Sequence, residues 1–218
     1  MFKRKGFTLT ELMIALTILG VLTALVLPML NGNSPSRNRM MMKKAYYTIE
    51  EVVSNLINDE SLYPEIGTNG TYVGFDNLEN ACGAGNCVQW AKFPTLFSKQ
   101  LNVDGDVTYQ VDAQKGIARF KTSDGMSWEI FSGGSESLPD VVTAVEPGAS
   151  AVLQGILVDV NGDKKPNCVE GENGCVGGNL RDIDRFRVYV TARGRIVPAA
   201  NQSWFEDAIS IDSSVNGD

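Results

Sequence analysis

The chain has 218 residues, 43% hydrophobic and 21% charged, and its 26 Asp and Glu against 19 Lys and Arg give a formal net charge of −7. This length admits one soluble domain with an appendage, or two small domains, and the composition is that of a folding chain. The acidic balance excludes a large basic face for nucleic acid. Histidine is absent, which removes Ser-His-Asp and Cys-His catalysis, His-based zinc sites and imidazole acid–base chemistry.

Residues 1–6 form a short basic leader carrying Lys3, Arg4 and Lys5. Residues 12–30 then give 19 positions without a charge. As a helix this run would span ~28 Å at about 1.5 Å per residue, the thickness of a bilayer core. A secretory signal peptide would carry a shorter apolar core followed by a small-residue cleavage site. Here the small residue near a boundary, Gly6, precedes the run. Glu11 stands at its head. A carboxylate at membrane depth is costly and marks a functional site, whereas near the headgroups it simply favours the positive end of the helix dipole. The residues alone leave both readings open.

The segment Lys5-Gly6-Phe7-Thr8-Leu9-Thr10-Glu11-Leu12-Met13-Ile14 resembles the processing site of type IV pilins and type II secretion pseudopilins. The resemblance implies a prepilin peptidase of the inner membrane that cuts between Gly6 and Phe7 and methylates the new amine of Phe7. It also implies that Glu11 neutralises the terminal amine of a neighbouring subunit during assembly. An amine and a carboxylate each stranded in hydrocarbon cost free energy that pairing relieves, and such a pair sets register. Basic residues flank the apolar run on both sides, with Arg37, Arg39, Lys43 and Lys44 beyond it, so counting charges does not orient the helix. The resemblance puts the leader in the cytoplasm.

Pro28 weakens or kinks the end of the apolar run, and Asn31-Gly32-Asn33-Ser34-Pro35 is a stronger break. A second helix is predicted over about 36–59, where Met42, Ala45, Ile49, Val52, Val53 and Leu56 recur at helical spacing. Its apolar stripe is expected to face the sheet of its own domain. The basic cluster at 37–44 reads as a solvated face, or as a contact for lipid headgroups or acidic neighbours.

From residue 65 the pattern becomes β. Strands are predicted at 107–111, 117–121 and 126–131 as an antiparallel meander, with further strands at 156–160, 186–190 and 195–197. Residues 132–150 are expected to be a loop, and Asp104-Gly105-Asp106 a plain turn. The expected fold is α+β and pilin-like: a long N-terminal hydrophobic helix for membrane and filament core, then an amphipathic helix packed on an antiparallel sheet. The segments are a leader at 1–6, an assembly helix at 7–30, a broken helical stem at 31–64 and a β-rich periplasmic or extracellular domain at 65–218.

Four cysteines, Cys82, Cys87, Cys168 and Cys175, suggest disulfides on a chain expected to face the periplasm. Three pairings are possible, and the two local ones are favoured because each closes a Gly- and Asn-rich loop. A four-cysteine zinc site would need shorter spacings. Asp159, Asn161 and Asp163 alternate after a predicted strand and can turn oxygens toward one centre, which suits calcium, although Asn161-Gly162 is also an ordinary turn signal. The segment 159–167, the Asp184-Arg185-Phe186 strand and the Gly194 to Pro198 ending resemble a group of pilin-like proteins. Among the major pseudopilins of type II secretion, calcium binds near this C-terminal loop. The resemblance thus implies calcium held by Asp159, Asn161 and Asp163, with Asn167 and Asp184 completing the set and Asp182 as a substitute for Asp184.

The sequence is accordingly expected to encode a prepilin-like subunit that is processed, N-methylated and polymerised into a type II secretion pseudopilus or a type IV pilus. Its expected partners are the prepilin peptidase, other pilin or pseudopilin subunits, an inner-membrane assembly platform and membrane lipid, without nucleic acid. The rival readings are a single-pass anchored binding module that does not polymerise, and a tethered hydrolase using Asp59 and Glu60 or Asp182 and Asp184.

Overall fold

A computed structural model describes residues 8–31, 35–63, 65–66, 71–72, 82–83, 86–87, 92–112, 115–134, 139–147, 152–162, 164–172, 175, 183–191 and 193–210. Within these, residues 25–31, 35–36, 65–66, 71–72, 82–83, 86–87, 111–112, 115, 132–134 and 152–153 are described by backbone alone. The chain divides into two compact units, Met1–Ser34 and Pro35–Asp218.

The first unit contains helix α1, Leu9–Asn31. Its side chains carry no stripe. Leu12, Met13, Ile14 and Leu22 lie on different sides of the helix, and all are more than half exposed. Thr17 and Thr23 return their hydroxyls to the carbonyls of Ile14 and Leu19, so neither presents an unpaired hydroxyl on the apolar surface. Among the described residues no helix is long and apolar enough to cross a membrane, and the described side chains of α1 stop at Ala24.

The second unit is built around helix α2, Pro35–Ile57. Proline suits a first helical position, where its missing N–H would have had no partner. Met42, Ala45, Ile49, Val52, Val53 and Leu56 are buried along one face, as the helical spacing predicts. They pack on a six-stranded antiparallel sheet formed by β5 (Val103–Asp112), β6 (Lys115–Thr122), β7 (Ser127–Gly134), β8 (Val152–Asp159), β9 (Arg185–Val190) and β10 (Ile196–Pro198). The spatial order is sequential from β10 to β5, so every connection joins neighbours and no crossover is needed. Phe120, Trp128, Ile130, Ile156, Val158, Phe186, Val188 and Val190 supply the inner face. Burying a side chain of this kind stabilises by roughly 1.5–3 kcal/mol, so the α2–sheet seam is the main source of stability in this unit. Two short ribbons, β1 (Glu65–Ile66) with β2 (Thr71–Tyr72) and β3 (Cys82–Gly83) with β4 (Asn86–Cys87), precede the sheet.

The α+β expectation holds, and two local expectations do not. Residues 132–150 are not all loop: β7 runs on to Gly134 and helix α4 spans Asp140–Val145. Val142 of α4 packs on Val197, covering part of the sheet's outer face. Asp104-Gly105-Asp106 is not a turn but part of β5, at a register irregularity between Asp104 and Thr108 where Gly105 takes φ +84°. Such an irregularity bends the strand, and glycine takes the left-handed conformation there without steric cost. Two short amphipathic helices also enter the core, α3 (Lys92–Lys99) through Phe93 and Phe97, and α5 (Ser203–Ile209) through Trp204 and Phe205. The Phe205 ring stacks on Phe186 at 4.3 Å between centroids.

Candidate functional site

The largest convergence of predicted site residues lies where β8 ends and β9 begins. Asp159 closes β8 and Asp184 immediately precedes β9; Val160 N–H donates to the Asp184 carbonyl at 2.9 Å, holding the two ends together. The connection then turns sharply. Gly162 takes φ +72° and lies so close to the 122–126 turn that a Cβ there would fall 2.8 Å from the Gly125 carbonyl oxygen. Asn167 is also left-handed, at φ 58°, a conformation asparagine tolerates better than most residues.

This backbone directs oxygen atoms inward. Asp184 is fully buried. Its Oδ1 accepts Cys168 N–H at 2.5 Å, and its Oδ2 accepts Asn167 N–H and Asn161 Nδ2–H, each at 2.9 Å. Asp159 accepts Asn161 N–H at 3.2 Å on Oδ1 and Arg185 Nε–H at 2.7 Å on Oδ2. Burial pushes the Asp159 carboxyl up to about 6 despite the Arg185 guanidinium beside it. The carboxamide oxygens Oδ1 of Asn161 and Asn167 are buried and, among the described residues, accept no hydrogen bond. A buried acceptor without a donor costs about 1–3 kcal/mol. These two oxygens and the carboxylates of Asp159 and Asp184 are oxygen donors of the type that hard cations take. Among the described residues, no three Asp, Glu, Cys or His side chains form a metal cluster, and the Arg185 guanidinium stands against one of the two carboxylates.

Asp163 and Asp182 lie outside the described residues. The expected disulfide between Cys168 and Cys175 is present, with Cα atoms 5.7 Å apart. The β3–β4 ribbon sets Cys82 opposite Cys87 in register; their side chains lie outside the described residues. Sequence reasoning missed Arg185, which occupies one oxygen of Asp159. The signal was available in parity, since Arg185 and Asp159 are paired residues on β9 and β8 and opposite charges favour cross-strand partners.

The N-terminal motif is partly described. Gly6 and Phe7 lie outside the described residues. Glu11 sits in the first turn of α1, where its Oε2 accepts Thr8 N–H and Thr8 Oγ1–H at 2.8 Å each, while Thr8 Oγ1 accepts Glu11 N–H at 3.3 Å. This reciprocal pair is a capping box that satisfies the otherwise unpaired donors at a helix start.

Residues 1–27 match the family model of the prokaryotic N-terminal methylation motif. The chain is 38% identical over 64 residues to the type II secretion system core protein G of Klebsiella pneumoniae, covering 29% of this chain and 46% of that protein. It is 35% identical over 63 residues to the type II secretion system core protein G of Pectobacterium carotovorum subsp. carotovorum, covering 29% and 40%. With the protein of the same name from Dickeya chrysanthemi it shares 36% identity over 62 residues, covering 28% and 40%. The chain thus spans less than half the length of these curated relatives. No solved structure matches it. The motif and these relatives support the type IV pilin and type II secretion pseudopilin family, and the helix-plus-antiparallel-sheet architecture is consistent with a pilin-like fold.

Proposed function

We propose that the chain is a prepilin-like subunit of a type II secretion pseudopilus or a type IV pilus. A prepilin peptidase removes residues 1–6 and the amine of Phe7 is methylated. The apolar segment holds the subunit in the inner membrane as a single pass with the sheet unit in the periplasm. Subunits then leave the bilayer and polymerise on an inner-membrane platform, Glu11 meeting the Phe7 amine of a neighbour. The function is assembly and involves no catalysis. The observation that carries this reading is the match of residues 1–27 to the methylation motif. The all-round apolar surface of α1 supports it, because lipid, and afterwards the helices of other subunits, would cover what the isolated chain exposes.

We also propose that calcium binds at the β8–β9 junction, held by Asp159, Asn161, Asn167 and Asp184 with Asp163. Support comes from two buried carboxamide oxygens that no described donor reaches, on Asn161 and Asn167, two residues that themselves hydrogen-bond the buried carboxylates of Asp159 and Asp184. The cation supplies charge compensation to these oxygens and ties the ends of two strands together. A structural ion of this kind serves a subunit whose outer surface must stay rigid in a polymer.

The test is intact-mass and N-terminal analysis of the full chain expressed with and without a prepilin peptidase. The expected result is peptidase-dependent loss of residues 1–6 with a methyl on the Phe7 amine. A chain that keeps its leader under both conditions would overturn the filament reading and leave a membrane-anchored module that does not polymerise.

A further inference from the structure

We infer that the Cys168–Cys175 disulfide positions the cation site, so that closing the disulfide and binding calcium strengthen each other. The inference rests on the calcium reading above and adds to it a regulatory partner that lies outside the ligand set.

The connection is direct. Two of the three hydrogen bonds that hold the Asp184 carboxylate come from consecutive backbone N–H groups, those of Asn167 and Cys168. Asn167 carries one of the two carboxamide oxygens without a donor. The Cys168 carbonyl in turn accepts the N–H groups of Asp184 at 3.3 Å and Arg185 at 3.0 Å, and Val169 forms a parallel bridge with Arg185. The segment 167–169 is therefore stitched edge to edge onto 183–185, and Cys168 is its centre. Beyond Cys168 the chain folds back on itself. Gly171 N–H donates to the Cys175 carbonyl at 3.0 Å, and Cys175 N–H donates to the Glu172 carbonyl at 2.8 Å. The disulfide locks this turn, and Glu172 anchors it to β9 through Arg187 at 2.5 Å. Glu170 anchors it to α5 by accepting Ser203 Oγ–H and Trp204 N–H at 2.8 Å each.

A cross-link acts by removing freedom that the open chain would have. Here the freedom removed belongs to the segment that presents Asn167 Oδ1 and the two N–H donors of Asp184. With the cross-link open, calcium must order that segment itself, and its affinity falls. Linkage makes the effect reciprocal: whatever factor the disulfide adds to calcium affinity, calcium adds to the disulfide equilibrium. Opening is a two-electron, two-proton exchange with an external dithiol, in which the Sγ–Sγ bond becomes two thiols and the dithiol closes to its own disulfide.

The experiment is calcium titration of the full chain in detergent micelles, followed by calorimetry, for the oxidised protein and for Cys168→Ser/Cys175→Ser. The expected result is a Kd weaker by about tenfold in the double variant, within the range of ordinary couplings. Cys82→Ser/Cys87→Ser should leave Kd unchanged, which separates positioning at this site from a general loss of cross-links. A second measurement uses the natural chain in a dithiol buffer. Acid trapping and mass mapping of Cys168 and Cys175 should show calcium shifting the equilibrium toward the disulfide by the same factor, and this arm stands even where the double variant fails to fold. Equal Kd in the oxidised chain and the double variant, or a disulfide equilibrium indifferent to calcium that the oxidised chain does bind, would overturn the inference alone. No calcium binding by the oxidised chain would overturn the calcium reading and the inference with it.

Discussion

Phe131 and Gly155 face each other across the β7–β8 pair, and a Cβ placed on Gly155 would fall 1.8 Å from Phe131 Cζ. The ring takes the space that any other residue would fill. Arg187 lies over it at 5.8 Å from the centroid, and Tyr189 meets its edge at 6.4 Å, so this aromatic cluster anchors the outer face of the sheet beside α4. Gly155→Ala should destabilise the sheet unit by about 1–3 kcal/mol, the usual cost of overpacking. Adding Phe131→Ala should return part of that loss, a signature of steric conflict. Denaturant unfolding of the single and double variants measures both, and a double variant less stable than the sum of the singles would count against the steric account.

Asp184 makes a second prediction from the same logic of complementarity. Its carboxylate accepts three hydrogen bonds in a fully buried position. Asp184→Asn keeps the shape but turns an NH2 toward donors that need an acceptor. Losing charge-assisted bonds and stranding a buried N–H should cost about 2–4 kcal/mol and abolish the calcium-dependent rise in Tm. Thermal unfolding with and without calcium reads both effects. Full stability together with full calcium response would remove Asp184 from the site.

How far the sequence discloses this molecule follows from which residues carry local information. The α2 stripe from Met42 to Leu56 repeats at helical spacing, and the 122–126 turn is marked by Asp124-Gly125, so helix and meander are legible. α3 and α5 are not, because each is short and its helical signal is a pair of aromatic anchors, Phe93 with Phe97 and Trp204 with Phe205, which also suit strands. The β5 irregularity hides for a related reason: Asp104-Gly105-Asp106 has turn composition, and only pairing with β6 draws it into a strand. At the β8–β9 junction, Asp159 and Asn161 stand out by alternation. Asp184 is separated from them by the cross-linked loop, and no spacing rule announces that Asn167 and Cys168 turn their N–H groups on it.

The pH response follows from Asp159. Burial raises its carboxyl to about 6 in the folded chain, against about 3.9 for an unfolded aspartate. The folded state therefore holds this proton more tightly than the unfolded state does. The stabilisation is fully present below about 4 and is lost as pH rises through about 6. A divalent cation favours the ionised carboxylate and offsets that loss, so calcium should raise Tm more at pH 7.5 than at pH 5. Calorimetric scans at the two values decide the matter, and an increment independent of pH would exclude Asp159 as a ligand.

Glu11 supports two jobs that one substitution can separate. Toward its own helix it closes the capping box with Thr8, and glutamine does this nearly as well as glutamate. Toward a neighbouring subunit, in the filament reading, its negative charge meets the methylated amine of Phe7, and glutamine supplies no such charge. Glu11→Gln should therefore leave the start of α1 and peptidase cleavage intact while polymerisation falls to background. Glu11→Ala should lose polymerisation and, in addition, the reciprocal half of the capping box, so that the start of α1 frays. Cross-linking ladders report the polymer, mass analysis reports cleavage, and amide exchange at Thr10 to Met13 reports the cap. Normal polymer from Glu11→Gln would mean that the carboxylate serves the helix and carries no charge-pairing role between subunits.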